Sequence, residues 1–181
     1  MPLSAPVART PMHTRRVTYQ GYKRDDGLWD IEATMVDTKP HRFVIENQGE
    51  WAPEQPIHHM LIRVTVNDAM VIQAIEADMA AAPHEPCPNA LPPMQGLVGA
   101  TLGRGWRKAI DAHLGQTKGC THMRELLFNL ATAAFQTMVE VSFERPNPTA
   151  LPPHLGQCHA WDLSGPVVAK AYPMFYQPKA D

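Results

Sequence analysis

The chain is poor in the features that would stabilise or sort it from outside. Its three cysteines are an odd and small number for 181 residues, which speaks against a disulfide framework and for metal binding, redox chemistry or simple burial of the thiols. No apolar run interrupts the first fifteen residues, which contain three prolines. Neither a secretory signal nor a membrane span is legible there, and the cytoplasm is the expected compartment. An excess of positive charge is also missing: the formal net charge is -2, so there is no general attraction for polyanions, and neither nucleic acid nor membrane is an expected partner. The short basic clusters at Arg15-Arg16 and 104–108 read as solvated faces. Internal repeats, low-complexity tracts and compact metal motifs of the C-x-x-C or H-E-x-x-H type are absent.

What is present suits a globular protein. A hydrophobic fraction of 44% and a charged fraction of 19% are ordinary for one domain able to bury its own core. The expected organisation is therefore a disordered arm over 1–15 and a single α+β domain over 16–181. The 18 prolines fall mostly in 40–56, 83–93, 146–153 and 166–178, stretches that read as connections.

The first half has strand period. Residues 16–22 alternate, Asp25-Asp26-Gly27 supplies turn chemistry, and 28–36 places Trp29, Ile31, Ala33 and Met35 on one side. Segments 61–66 and 70–77 flank a turn at Asn67-Asp68. The second half has helical period: a short helix is expected over 89–98 after Pro86-Cys87-Pro88, a second over 104–114 closed by Gly115, and a long one after Cys120. In the long helix Met123, Leu126, Leu127, Leu130, Ala134 and Met138 recur at helical spacing. A late strand is expected over 167–171. The fold class is thus an antiparallel three- to four-stranded meander packed against two or three helices.

Histidines and cysteines gather at element ends. His58 precedes a strand, Cys87 a helix, Cys120 and His122 open the long helix, and Cys158-His159 lies in a late loop. A thiol at a helix N-terminus is favoured as thiolate, and imidazole with thiolate suits zinc or iron over calcium or magnesium. The candidate metal ligands are therefore His58, Cys87, Cys120, His122, Cys158 and His159, with Asp30, Asp37 and Glu125 as candidate acid/base or supporting carboxylates. The plain alternative is that the thiols fill the core and the histidines bond locally. The four tryptophans, Trp29, Trp51, Trp106 and Trp161, fit a pocket lining or core packing equally well.

The phrases Arg24-Asp25-Asp26-Gly27-Leu28-Trp29-Asp30, Asp37-Thr38-Lys39-Pro40, Pro56-Ile57-His58-His59-Met60, Gly105-Trp106 and Gly119-Cys120-Thr121-His122 resemble those of a bacterial family catalogued as domain of unknown function 2889. That family's pattern also carries a Cys-His pair near its end, matched by Cys158-His159, and usually an Asp where this chain has His59. The resemblance implies a shared site. The order of His58, Cys87 and Cys120 relative to strands and helices further resembles U-type iron-sulfur scaffold proteins, which implies that these three residues meet at one end of a sheet with His122 near. With imidazole in place of the first thiolate, the set suits zinc or mononuclear iron better than a cluster.

The leading expectation is a zinc- or iron-dependent lyase or hydrolase of small-molecule catabolism. A non-enzymatic metal, iron-sulfur or persulfide carrier is one alternative. A metal-free enzyme with a Cys120 nucleophile is another, in which His58 or His159 is the expected base, because residues 120 and 122 are not same-face neighbours on a regular helix. A homo-oligomer is compatible with the sequence.

Overall fold

Alternation of apolar and polar residues builds the main sheet. In the computed structural model, which describes residues 3–143, 150–152 and 154–179, strands β1 (Thr14–Lys23) and β2 (Trp29–Thr38) form an antiparallel hairpin. Its turn is closed by Arg24 N–H to Leu28 O at 2.9 Å, with Gly27 at φ 87°, a conformation that glycine adopts without steric cost. A small hairpin follows, β3 (Phe43–Ile45) and β4 (Gly49–Trp51), inside the proline-rich stretch expected to be a plain connection. Strands β5 (His58–Val66) and β6 (Ile72–Ala81) complete a four-stranded antiparallel sheet of order β1-β2-β5-β6.

Parity then decides what faces the core. Trp29, Ile31, Ala33 and Met35 of β2 and Met60, Ile62, Val64 and Val66 of β5 are buried, as period-two alternation over a single covered face requires. Asp37 shares the parity of the first set and His58 that of the second, so both lie on the core side at the sheet's end.

Helix α1 (Trp106–Leu114) buries Trp106, Ile110 and Leu114, one residue per turn, and Gly115 follows it. Helix α2 (Thr121–Phe143) buries Met123, Leu126, Leu127, Leu130, Ala134 and Met138, the stripe read from the sequence. Two bonds tie α2 to its neighbours: Tyr19 Oη donates to Leu126 O at 3.2 Å, and Trp106 Nε1 to Leu127 O at 2.7 Å. A Cβ at Gly21 would overlap the Thr137 side chain, so glycine there permits the close approach of β1 and α2.

The described chain divides into two units, 1–139 and 140–181, and all the elements above belong to the first except the last residues of α2. In the second unit, residues 166–171 form a helix, α3 (Pro166–Ala171), where a strand was expected. Proline at the first helical position favours that start, and a short Val-Val run cannot distinguish the two states by period. Rings of His154, Trp161 and Tyr172 pack edge to face there, with centroids 4.7 to 5.9 Å apart. Two other expectations shift. The segment 89–98 is broken into two 3-10 turns, Cys87–Ala90 and Pro92–Leu97, because Pro92 and Pro93 donate no N–H to an α-helical ladder. The arm expected over 1–15 gives up Thr14 and Arg15 to β1. Much of the proline stretch 146–153 lies outside the described residues. No helix among the described residues is long and apolar enough to cross a membrane.

Candidate metal centre

The site begins as one row across the sheet. Antiparallel register sets Arg15 of β1 opposite Asp37 of β2, and Asp37 opposite His58 of β5, so the three side chains share a face. Asp37 is only 2% exposed, and a buried carboxylate needs partners. Arg15 supplies two, Nε to Oδ1 and Nη2 to Oδ2, both at 2.8 Å, and His13 Nε2 lies 3.0 Å from Oδ1. Arg15 also reaches Glu125 Oε2 with Nη1 at 2.6 Å, linking the row to α2.

The opening of α2 covers this row. Cys120 immediately precedes the helix and its carbonyl accepts the N–H of Arg124 at 3.0 Å, the bond an N-cap residue makes. From that position its side chain folds over the first turn, and Sγ lies 3.8 Å from His122 Nδ1. Residues 120 and 122 would be held apart only if both lay inside a regular helix; Cys120 is outside it. The His122 ring stands 4.1 Å from the His58 ring, centroid to centroid. Asp37, His58 and His122 each offer one ligand atom, and these atoms lie within 4.8 Å of one another.

His58 Nδ1 lies 3.1 Å from Asp37 Oδ2, yet it is buried without a geometrically sound hydrogen bond. The distance alone suggests a bond; the geometry decides against it, since a poorly aligned contact gains little. A carboxylate has about four lone-pair positions. Arg15 and His13 occupy two on Oδ1 and one on Oδ2, which leaves one on Oδ2 beside the unpaired nitrogen of His58.

The electrostatics follow from this packing. Burial pushes the Asp37 carboxyl up, but the bonds and charge of Arg15, then of His13, outweigh it and hold the group below the ordinary carboxylate value. Burial lowers His58, and the charge of His122 adds to that against the pull of Asp37. The bond to Cys120 raises His122 in spite of burial. Burial raises the Cys120 thiol, and the bond to His122 with the backbone N–H groups of Met123 and His122 brings it below its usual value. The pair therefore leans toward thiolate and imidazolium.

Of the residues singled out by sequence, Asp37, His58, Cys120 and His122 come together, and Glu125 adjoins them through Arg15. Asp30 does not: it lies near the other end of β2 on the opposite face, bonded to Thr65 Oγ1 at 2.6 Å and Arg24 Nη1 at 3.2 Å. Cys87, half-buried in the first 3-10 turn, is outside the group of metal-compatible side chains found among the described residues. His59 points its strand position to the face opposite His58. Cys158 and His159 belong to the second unit, where Cys158 is exposed. Sequence reasoning passed over His13 and Arg15, assigning one to a disordered arm and the other to a solvated basic pair. The parity that Arg15 shares with Val17 and Tyr19 was the available signal for its facing α2.

No curated protein and no solved structure matches the chain. One family model does, over residues 13–136, and its description is "Protein of unknown function (DUF2889)". The matched span includes His13, Arg15, Asp37, His58, Cys87, Cys120, His122 and Glu125, and stops before Cys158.

Proposed function

The chain belongs to the DUF2889 family, and for this member we propose a zinc- or iron-dependent enzyme acting on a small molecule, a lyase or hydrolase, with Asp37, His58 and His122 as the metal's protein ligands. The reading is carried by one observation: a buried carboxylate and two imidazoles from three separate elements converge within 4.8 Å, with His58 Nδ1 left without a hydrogen bond. Ligands about 2.0 to 2.1 Å from zinc stand roughly 3.3 Å apart, so the group closes on an ion by side-chain rotation.

The donor set favours catalysis over scaffolding. Three protein ligands leave a position open, whereas structural zinc takes about four. One carboxylate and two neutral imidazoles leave a divalent ion with net positive charge, which supports polarising a carbonyl or lowering the pKa of bound water; the same set with open positions also suits iron(II). Arg15 and His13 orient the carboxylate, as outer partners of metal ligands commonly do. Cys120 stands beside His122, a fourth ligand or a neighbouring acid/base group. Metal analysis of protein purified without added ions or chelators is expected to find about one zinc or iron per chain, and almost none in His122→Ala. A folded wild type that takes up neither ion would end this reading.

A second reading has its own observation in the 3.8 Å contact of Cys120 Sγ with His122 Nδ1 at a helix N-terminus. There Cys120 is a nucleophile with His122 as its base. Iodoacetamide should then modify Cys120 before Cys87 and Cys158 and abolish turnover, while chelators leave turnover unchanged.

A further inference from the structure

Beside the cluster lies a cavity of about 370 Å³, lined by Val17, Tyr19, Met35, Glu125, Leu126 and Asn129. Its place is fixed by the same register that builds the site. Val17 pairs with Met35 across β1 and β2, one core-facing row in from the Arg15–Asp37 pair, so the two rows stand about 7 Å apart. On the roof, His122, Glu125, Leu126 and Asn129 are spaced i, i+3, i+4 and i+7, one stripe of α2. The lining itself includes neither His122 nor Asp37; it begins one core-facing row along the sheet and one turn along α2 from them. Val17, Glu125 and Asn129 are exposed, so the cavity is a cleft open to solvent.

The lining specifies what fits. Val17, Met35 and Leu126 offer apolar walls, and the thioether of Met35 with the ring of Tyr19 favours an aromatic body. The volume is at the small end of ligand sites. Three lining residues are polar. The Tyr19 hydroxyl is bonded to Leu126 O, Asn129 Nδ2 donates to Glu125 O at 3.2 Å, and Arg15 takes Glu125 Oε2, which leaves Glu125 Oε1 as the charged acceptor for a bound molecule. Glu125 is the charged side chain of the lining, and in the metal-free chain its carboxylate favours a neutral hydroxyl donor over an anion.

We infer that this cavity is the substrate site of the proposed metal centre, and that it takes a small neutral aromatic alcohol or phenol whose hydroxyl donates to Glu125. The inference rests on the reading of Asp37, His58 and His122 as a metal site only for the reaction, and its test needs no turnover. Phenol, cyclohexanol and benzoate are titrated calorimetrically into the metal-free full chain. Phenol is expected to bind in the millimolar range, several-fold tighter than cyclohexanol and at least about tenfold tighter than benzoate. Asn129→Trp, at a helix position on the cavity's roof, should fill the cavity and weaken phenol at least about tenfold, and Glu125→Gln should narrow the gap between phenol and benzoate. Equal binding of phenol by wild type and Asn129→Trp, equal binding of phenol and cyclohexanol, or a gap untouched by Glu125→Gln would overturn it; Val17→Trp repeats the filling test from β1. Zinc and iron(II) are then titrated separately into the same protein. Uptake of either ion without phenol binding removes the substrate class and leaves the metal centre, whereas phenol binding with uptake of neither ion upholds the cavity and removes the metal centre.

Discussion

Strand β2 carries a carboxylate near each end, and the two are built from similar parts. Asp30 and Asp37 each meet an arginine from the neighbouring segment, Arg24 and Arg15, and each stands in direct register with a residue of β5, Thr65 and His58. They differ in face and in closure. Asp30 is on the side away from α2, and Thr65 donates a good hydrogen bond at 2.6 Å, so the cross-strand pair there is made. Asp37 is on the core side under the start of α2, and its cross-strand partner at 3.1 Å makes no hydrogen bond. The difference is between a completed local pair and a buried one with an acceptor and a ring nitrogen still to be satisfied. An unmet buried polar pair is costly, and it is the condition in which a bound cation gains most.

The largest effect should come from exchanging charge at the two ends. Asp37→Asn removes the only carboxylate of the proposed ligand set, and His122→Ala one of its two imidazoles. Either should lower zinc or iron affinity by at least about a hundredfold, since direct ligands exceed the roughly 10- to 100-fold typical of their outer partners. Asp30→Asn should leave metal content unchanged. Metal analysis and competitive chelator titration measure both, and equal losses at the two ends would erase the distinction.

Next is the effect of the two arginines on stability. Arg15→Ala strands a carboxylate whose side chain is only 4% exposed. Breaking a fully buried pair costs roughly 3 to 5 kcal/mol, and with Arg15 itself 32% exposed about 2 kcal/mol is expected. The sign with pH follows. Because the folded state holds Asp37 below its ordinary value, its stabilisation is present above the unfolded carboxylate pKa and is lost as pH falls through the folded one. The deficit of Arg15→Ala should therefore shrink in acid. Arg24→Ala, at a solvated turn, should shift the urea midpoint far less at any pH.

The contrast between the two carboxylates was partly written in the sequence. Trp29, Ile31, Ala33 and Met35 define the buried parity of β2, and that alternation by itself puts Asp37 with them and Asp30 against them. The stripe from Met123 to Met138 likewise defines the face of α2, and the gathering of His58, Cys120 and His122 at element ends marks candidates. The partners of Asp37 were not legible, because they depend on cross-strand register, which long-range pairing sets and local pattern does not. His13 and Arg15 gain their meaning only when β1 is laid beside β2. Short apolar runs misled for another reason: at 167–171 neither period has room to declare itself.

The smallest effect separates the two β5 partners, and its sign should be opposite at the two ends. Thr65→Val deletes a hydroxyl that is 2.6 Å from Asp30 and keeps the side chain's shape, so it should destabilise by about 1 kcal/mol, the ordinary worth of one hydrogen bond. His58→Leu, in metal-free protein, removes a ring nitrogen that burial already holds toward its neutral form and that has no geometrically sound bond to lose. Replacing an unsatisfied buried polar group by an apolar one is neutral or mildly stabilising, so its urea midpoint should match or exceed that of wild type even as metal uptake disappears. A residue kept for coordination trades stability in this way, whereas one kept for packing does not. If His58→Leu destabilises the metal-free chain as much as Thr65→Val does, His58 is a structural partner of Asp37 and the two ends of β2 are alike.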